Sequence, residues 1–181
     1  MNTLFPPEVP ADSRDILELA LDLGKALQAR NWRVATAESC TGGGISAAIT
    51  EVPGSSAWFE YGLVTYANRA KVSLLGVSAE SLSRDGAVSE SVVMEMAQGA
   101  LRVSGADLAV SVSGVAGPDG GSSDKPVGTV WIGWARRTGE NVVVDATCHH
   151  FEGDRRGVRE QVVAAALRQL LALAGDSRNT V

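Results

Sequence analysis

The chain has 181 residues, of which 45% are hydrophobic and 20% are charged, and its net charge is -5 at pH 7. This length and balance predict a single globular domain over residues 12–175, preceded by a flexible arm at 1–11 and followed by a tail at 176–181. The acidic charge argues against nucleic acid as a partner, and the absence of a run of about 20 apolar residues or of a leader peptide predicts a cytoplasmic protein that does not enter a membrane.

Hydrophobic periodicity and turn residues predict helices that alternate with strands along most of the chain. In chain order we expect a helix over 12–31, a strand over 32–38, a helix over 41–54, a strand over 59–67, a short helix over 68–76, a helix over 87–105, strands over 106–114, 129–137 and 141–151, and a last helix over 153–175. This order predicts an α/β fold, a three-layer α/β/α sandwich with a mostly parallel mixed sheet of about five strands, one of them antiparallel.

Parallel strands in such a sheet present ligand sites at their carboxyl ends. Ser39, Ala67 and Gly114 fall at three such ends. Ser39 stands in TAESCTGGG, on a turn from strand to helix, where its hydroxyl can attack a carbonyl while the N–H groups of 41–43 stabilise the oxyanion. A serine at this place also fits a helix N-cap, and position alone leaves both roles open.

A serine nucleophile needs a base, and the two histidines, His149 and His150, are adjacent at a strand end without the spacing of a known triad. A lysine can take that role when desolvation lowers its pKa. Lys71 lies one helical turn beyond the end of its strand, where it can face the same edge of the sheet, and Tyr66 can relay a proton. The alternative is that Lys71 is a solvated helix residue and Tyr66 a core aromatic.

Two further segments can bind an anion. The glycine-rich loop over 113–121, SGVAGPDGG, offers backbone N–H groups but has neither a P-loop ending nor a dinucleotide fingerprint. Arg155, Arg156 and Arg159 begin the last helix and can hold a phosphate or form a solvated basic face. Cys40 and Cys148 are far apart and lack CxxC spacing, so neither a disulfide framework nor a zinc site is predicted.

Several long motifs occur together and in order over about 19–171, and with them the chain resembles the CinA C-terminal domain family, the nicotinamide-nucleotide amidohydrolases. The motifs that carry the resemblance are TAESCTGGG, GSSAWFEYGLVTYANRAK, GAVSESVVMEMA, VSVSGVAGPDGG, KPVGTVWIGWA and FEGDRRGVR. The resemblance implies hydrolysis of the carboxamide of nicotinamide mononucleotide to nicotinate mononucleotide and ammonia. It also implies Ser39 as nucleophile, Lys71 as general base and Tyr66 as proton-relay partner, with no cofactor and no metal.

For the substrate we expect the pyridinium ring near Glu38, the oxyanion against the N–H groups of Thr41 to Gly43, and the phosphate near the glycine-rich loop or Arg155 and Arg159. The residues expected to bind substrate are Glu38, Thr41, Gly42, Gly43, Ser113, Gly114, Ala116, Gly117, Gly120, Arg155 and Arg159. Exposed apolar stretches such as AWFEYG favour a homodimer or higher homo-oligomer. The alternatives are a hydrolase that acts on a different nucleotide and a non-catalytic, nucleotide-binding partner protein of competence or DNA-damage response.

Overall fold

The structure is a computed structural model that describes residues 15–175. Within these residues the regular elements are α1 (Ile16–Ala29), β1 (Val34–Glu38), α2 (Gly44–Thr50), β2 (Phe59–Val64), α3 (Asn68–Leu75), α4 (Ala79–Asp85), α5 (Glu90–Ser104), β3 (Leu108–Gly114), β4 (Thr129–Thr138), β5 (Asn141–His150) and α6 (Arg155–Gly175). The predicted arm at 1–11, the start of the first predicted helix at 12–14 and the tail at 176–181 lie outside the described residues. No described helix has the length and apolar character to cross a membrane.

The five strands form one mixed sheet in the order β2-β1-β3-β4-β5. β1 runs parallel to both β2 and β3, β4 is antiparallel to β3, and β5 is antiparallel to β4. Only β4 therefore opposes the direction of the other strands among the described residues. The predicted α/β class, with a mostly parallel sheet of five strands and one antiparallel member, is confirmed.

Two apolar cores cover the two faces of the sheet and give the molecule its three layers. Alternate residues of β1 point into different cores: Val34 packs with α1, α2 and α6, whereas Ala35 and Ala37 pack with α5 and the end of α3. All of β1 is buried, as expected for a central strand with helices on both sides. Because side chains alternate along a strand, a residue at the end of β1 faces the core of Val34 if its number is even and the core of Ala35 and Ala37 if its number is odd.

The structure differs from the prediction mainly at element boundaries. α2 begins at Gly44, later than the predicted residue 41, because Gly42 and Gly43 adopt φ values of +60° and +98°, which lie outside the right-handed helical region. Helix α4 was not predicted, although Ser78 caps it through the N–H groups of the first turn. The strand predicted over 59–67 ends at Val64, which leaves 65–67 as the connection into α3.

Candidate active site

The carboxyl ends of β2, β1 and β3 lie side by side, and backbone pairing continues for one residue beyond them. The Ser39 N–H donates to the Val112 carbonyl at 3.0 Å, and the Thr65 N–H donates to the Glu38 carbonyl at 2.8 Å. Because Val112 is the register partner of Glu38, Ser113 is the next residue beside Ser39. The three strand ends named from the sequence therefore meet at one edge of the sheet.

Lys71 reaches this edge from α3, and its side chain is only 1% exposed. Its Nζ lies 3.1 Å from Ser39 Oγ, 2.8 Å from the carbonyl oxygen of Thr65 and 3.3 Å from that of Tyr66. The first residues of α3 follow directly on 65–67, so the same short connection that supplies the two carbonyls also places the lysine. The alternative of a solvated helix residue is wrong for Lys71.

Burial lowers the pKa of the Lys71 ammonium below its usual value, because the charged form loses hydration; a negative charge on Cys40 would act in the opposite direction. A neutral lysine has two N–H donors and one lone pair. The two backbone carbonyls can take both donors, and the lone pair is then left for the hydroxyl proton of Ser39. This is the arrangement that a general base requires, within hydrogen-bond reach of the proton it accepts.

Ser39 does not cap α2. The N-cap of that helix is Gly43, which makes no side-chain capping bond, and Ser39 lies four residues earlier, partly buried at the end of β1. Its hydroxyl is instead within reach of Lys71 Nζ. This placement favours the nucleophile role of Ser39 over the role of a helix cap.

The Tyr66 side chain is 61% exposed, so it is not a core aromatic. Its hydroxyl oxygen accepts a hydrogen bond from Arg155 Nη2 at 3.3 Å, and its carbonyl accepts from Lys71. The hydroxyl therefore contacts the first residue of α6 and is not inserted between Ser39 and Lys71. The expected proton relay does not exist as a hydrogen-bonded chain in this structure.

Glu38 is fully buried, and the expectation that it lies beside the pyridinium ring is corrected by this finding. Glu38 has the same parity as Val34 and Thr36, so its side chain turns into the core under α2. There its carboxylate accepts hydrogen bonds from the residues that follow Ser39, including the Thr41 hydroxyl at 2.7 Å. No ligand can reach it without displacing the turn above it.

The N–H groups expected for the oxyanion are largely engaged within the turn over 39–44. The Gly42 N–H donates to the Ser39 carbonyl at 3.1 Å, and the Gly43 N–H donates to Glu38 at 3.0 Å. Of the three expected donors, only the Thr41 N–H makes neither of these bonds, and it lies beside the Cys40 thiol, whose pKa burial raises and this N–H lowers to a smaller extent. The Thr41 carbonyl accepts from Arg159 Nη2 at 2.6 Å, which ties the turn to α6.

A cleft of about 450 Å³ joins the glycine-rich loop to the start of α6. Arg155 Nη1 donates to the Gly117 carbonyl at 2.7 Å, so the two anion-binding candidates form one site. The cleft is lined by Ala116, Gly117, Pro118, Val127, Gly153, Asp154, Arg155, Arg156 and Arg159. Arg159 Nε is buried and makes no hydrogen bond, so one of its donors remains unused.

The other loop residues expected to bind substrate do not line this cleft. Ser113 is 2% exposed beside Ser39, and Gly120 is exposed outside the cleft lining. A Cβ on Gly114 would lie 2.5 Å from a Val130 methyl, so close packing against β4 by itself requires a glycine here, and the binding role of Gly114 stays a prediction. His149 stacks on Phe151 at the end of the sheet.

Three groups of this site were not predicted from the sequence. They are the Thr65 carbonyl, which accepts from Lys71, and the hydroxyls of Thr36 and Ser46, which surround Glu38. The two hydroxyls around Glu38 did have a signal in the sequence. Thr36 and Glu38 are two residues apart on β1 and therefore face the same apolar core, where polar side chains must hydrogen-bond to each other or to a neighbour.

Cys40 is expected to be dispensable for catalysis. It is 6% exposed, and burial raises the pKa of its thiol to about 11, so the thiolate is absent at neutral pH. Cys40→Ala should retain the wild-type rate within about twofold, since a buried neutral thiol is not the nucleophile. Steady-state rates of the two proteins check this. A hundredfold loss in a Cys40→Ala protein that melts normally would contradict it.

Comparisons with known proteins identify the family of the chain. A model of the CinA C-terminal domain matches residues 16–174. The nicotinamide-nucleotide amidohydrolase PncC of Pseudomonas putida is 56% identical over 161 residues, which cover 89% of this chain and 98% of that protein. The enzyme of the same name from Enterobacter agglomerans is 55% identical over 154 residues, or 85% of this chain and 92% of that one.

A solved structure gives the same result for the fold. The competence-damaged protein (CinA) superfamily protein of Escherichia coli superposes with a TM-score of 0.88 at 38% identity, over 96% of this chain and 99% of that chain. The family match over residues 16–174 includes Ser39, Lys71 and the glycine-rich loop. The chain belongs to the CinA C-terminal domain family.

Proposed function

We propose that this protein hydrolyses the carboxamide of nicotinamide mononucleotide to nicotinate mononucleotide and ammonia. The observation that carries the proposal is the 3.1 Å approach of a buried lysine, with a lowered pKa, to the hydroxyl of Ser39. Two relatives more than half identical are named nicotinamide-nucleotide amidohydrolase, which supports the choice of substrate. A serine with a lysine base is suited to amide hydrolysis because it splits one difficult displacement into two acyl-transfer steps.

In the proposed mechanism, neutral Lys71 accepts the hydroxyl proton as Ser39 Oγ forms a bond to the carboxamide carbon. Lys71 then returns the proton to the amide nitrogen, the C–N bond breaks, and ammonia leaves an ester on Ser39. A water molecule gives its proton to Lys71 while its oxygen attacks the ester carbon. Return of that proton to Ser39 Oγ breaks the ester bond and releases the carboxylic acid, which loses its remaining proton to solvent, and the site is restored.

We assign the oxyanion formed in both steps to the Thr41 N–H, which, unlike those of Gly42 and Gly43, donates to neither Ser39 nor Glu38. The phosphate of the substrate is assigned to the cleft that Arg155 and Arg159 line. A relay through Tyr66 would require its hydroxyl to leave Arg155, so the proton passes directly between Ser39 and Lys71 in this mechanism.

The rate is expected to rise with pH as Lys71 loses its proton. Burial lowers the pKa of this group from its ordinary value, so the neutral, active form appears at a lower pH than for a solvated lysine. A plot of kcat/KM against pH should show one rising limb that then levels off. A profile that stays flat from neutral to mildly alkaline pH would point to a different base.

Ammonia release from three substrates tests the proposed function. Purified protein should release ammonia from nicotinamide mononucleotide much faster than from free nicotinamide, because the phosphate cleft contributes binding energy only to the nucleotide. The dinucleotide is the third substrate and reports whether the cleft accepts a substituted phosphate. Ammonia from none of the three would favour the non-catalytic binding protein, and ammonia from the dinucleotide alone would assign a different nucleotide substrate.

A further inference from the structure

The Glu38 carboxylate is the most heavily hydrogen-bonded side chain around the site, although it touches neither the cleft nor Lys71. It is 0% exposed and receives five hydrogen bonds of 3.0 Å or shorter. The donors are the Thr41 hydroxyl, the backbone N–H groups of Gly43, Ile45 and Ser46, and the Ser46 hydroxyl. All five come from within seven residues of Ser39, and the set spans the turn and the first part of α2.

The network continues below the carboxylate. The hydroxyls of Ser46 and Thr36 lie 2.7 Å apart, and Thr36 also approaches the carboxylate at 3.3 Å. A Cβ on Gly62 would stand 2.5 Å from Ser46 Oγ, so the neighbouring strand β2 needs a glycine there to leave room for Ser46. The position of the carboxylate is thus fixed by two strands and a helix.

No ion pair explains why a carboxylate is buried here. Across residues 15–175 no lysine, arginine or histidine forms an ion pair with Glu38. A buried carboxylate without a counter-charge is tolerated only when hydrogen-bond donors replace its hydration. The donors of the turn supply that replacement, and the carboxylate in return holds those donors in one arrangement.

We propose that Glu38 is a positioning residue for the nucleophile. By gathering the N–H groups of Gly43, Ile45 and Ser46 it fixes the path of the turn over 39–44, and so keeps Ser39 Oγ within reach of Lys71 and the Thr41 N–H towards the oxyanion. This inference rests on the proposed function only for its turnover readout. Misplacement of a reacting group by about 1 Å can cost about 10²-fold in rate, which sets the size of the expected effect.

Glutamine at this position cannot substitute for the carboxylate. Oε2 accepts from two backbone N–H groups and a hydroxyl, and Oε1 accepts from the Ser46 N–H and hydroxyls. An amide NH₂ in either orientation therefore faces at least one backbone N–H, donor against donor. Glu38→Gln keeps the volume and the fold of the strand but should distort the turn.

The experiment measures Glu38→Gln by turnover and by the reactivity of Ser39 itself. We expect kcat to fall about 10²-fold, KM to stay within about threefold, and the apparent pKa of the rising limb to stay unchanged, because the lysine and its two carbonyls are on another segment. The rate at which a fluorophosphonate phosphonylates Ser39 with loss of fluoride, followed by intact mass, should fall in parallel. This second readout needs no nucleotide.

Two further variants keep the test decisive. Ser46→Ala removes one donor and leaves the carboxylate in place, so it should lower kcat and the labelling rate by about three- to tenfold, even if Glu38→Gln fails to fold. Glu95→Gln is the matched control, because Glu95 accepts from the Ser78 N–H and the Ser81 hydroxyl where α5 meets α4. It should leave both rates unchanged.

Each outcome supports or overturns the inference. Wild-type labelling rates in folded Glu38→Gln, or in Ser46→Ala when the first variant does not fold, would overturn it. A rise in KM with kcat unchanged would also overturn it, and would return Glu38 to substrate binding. If the wild-type protein releases no ammonia from the mononucleotide but labelling still falls in the variants, the proposed function fails and the positioning role stands.

Discussion

Replacing Ser39 by alanine is expected to lower the rate of ammonia release from nicotinamide mononucleotide by at least about 10⁴-fold. The variant loses the Ser39 hydroxyl, which lies 3.1 Å from Lys71 Nζ. Without this nucleophile no acyl-enzyme can form, and only direct attack of water on the carboxamide remains. The dissociation constant for the mononucleotide should change little, because the phosphate cleft is intact. Steady-state kinetics and calorimetric binding measure the two effects.

Ser111→Ala is the matched control for this variant. Ser111 is also buried on the sheet, and its hydroxyl donates to the Val93 carbonyl on α5, away from the site edge. Its removal should cost about 1 kcal/mol of stability and leave kcat within about twofold. A Ser39→Ala protein that retains a tenth or more of the wild-type rate would remove Ser39 from the nucleophile role.

Replacement of Lys71 is expected to give the second large loss of activity. Two substitutions distinguish its role as a base from a role as a cation. Lys71→Met keeps the length of the side chain but has no proton acceptor, and we expect a loss of about 10³-fold or more in kcat. Lys71→Arg keeps a positive charge but cannot give up its proton at any working pH. If the lysine acts as a base, both variants lose activity and neither recovers it as the pH is raised. Both are measured as pH profiles of kcat/KM.

A lysine that acts only as a cation would give a different result. In that case Lys71→Arg would retain a tenth or more of the wild-type rate, which would contradict the proposed mechanism. Lys25→Met is the control for loss of a lysine, since Lys25 is solvent-exposed on α1 and pairs with Asp22. Its rate should equal that of the wild type.

The arrangement of the sheet could be predicted because the buried strands and amphipathic helices have clear periods and the turn residues separate them. Helix α4 was missed because AESLSRD is short, mostly polar and has no apolar face that repeats. Its start was nevertheless signalled by Ser78 and its end by Gly86, which has a φ of +75°. The late start of α2 follows from the positive φ values of Gly42 and Gly43.

The site could be predicted in part. The rule for strand ends, with the family motifs, selected Ser39 and Lys71, and the structure brings these two together. The direction of the Glu38 side chain was also implied by strand parity, but a carboxylate next to a nucleophile suggested a ligand contact instead. The pairing of the Tyr66 hydroxyl with Arg155 joins residues 89 positions apart and has no local sequence signal.

The central claim, that Ser39 attacks the carboxamide with Lys71 as its base, is tested most directly by the mass of the protein during turnover. Rapidly quenched reactions with nicotinamide mononucleotide should contain chains that carry one acyl group from the substrate, located by peptide mapping to Ser39. The adduct should appear within the first turnover, decay when the substrate is consumed, and be absent in Ser39→Ala. Full turnover by wild-type protein whose Ser39 is unmodified at every time point would contradict the account.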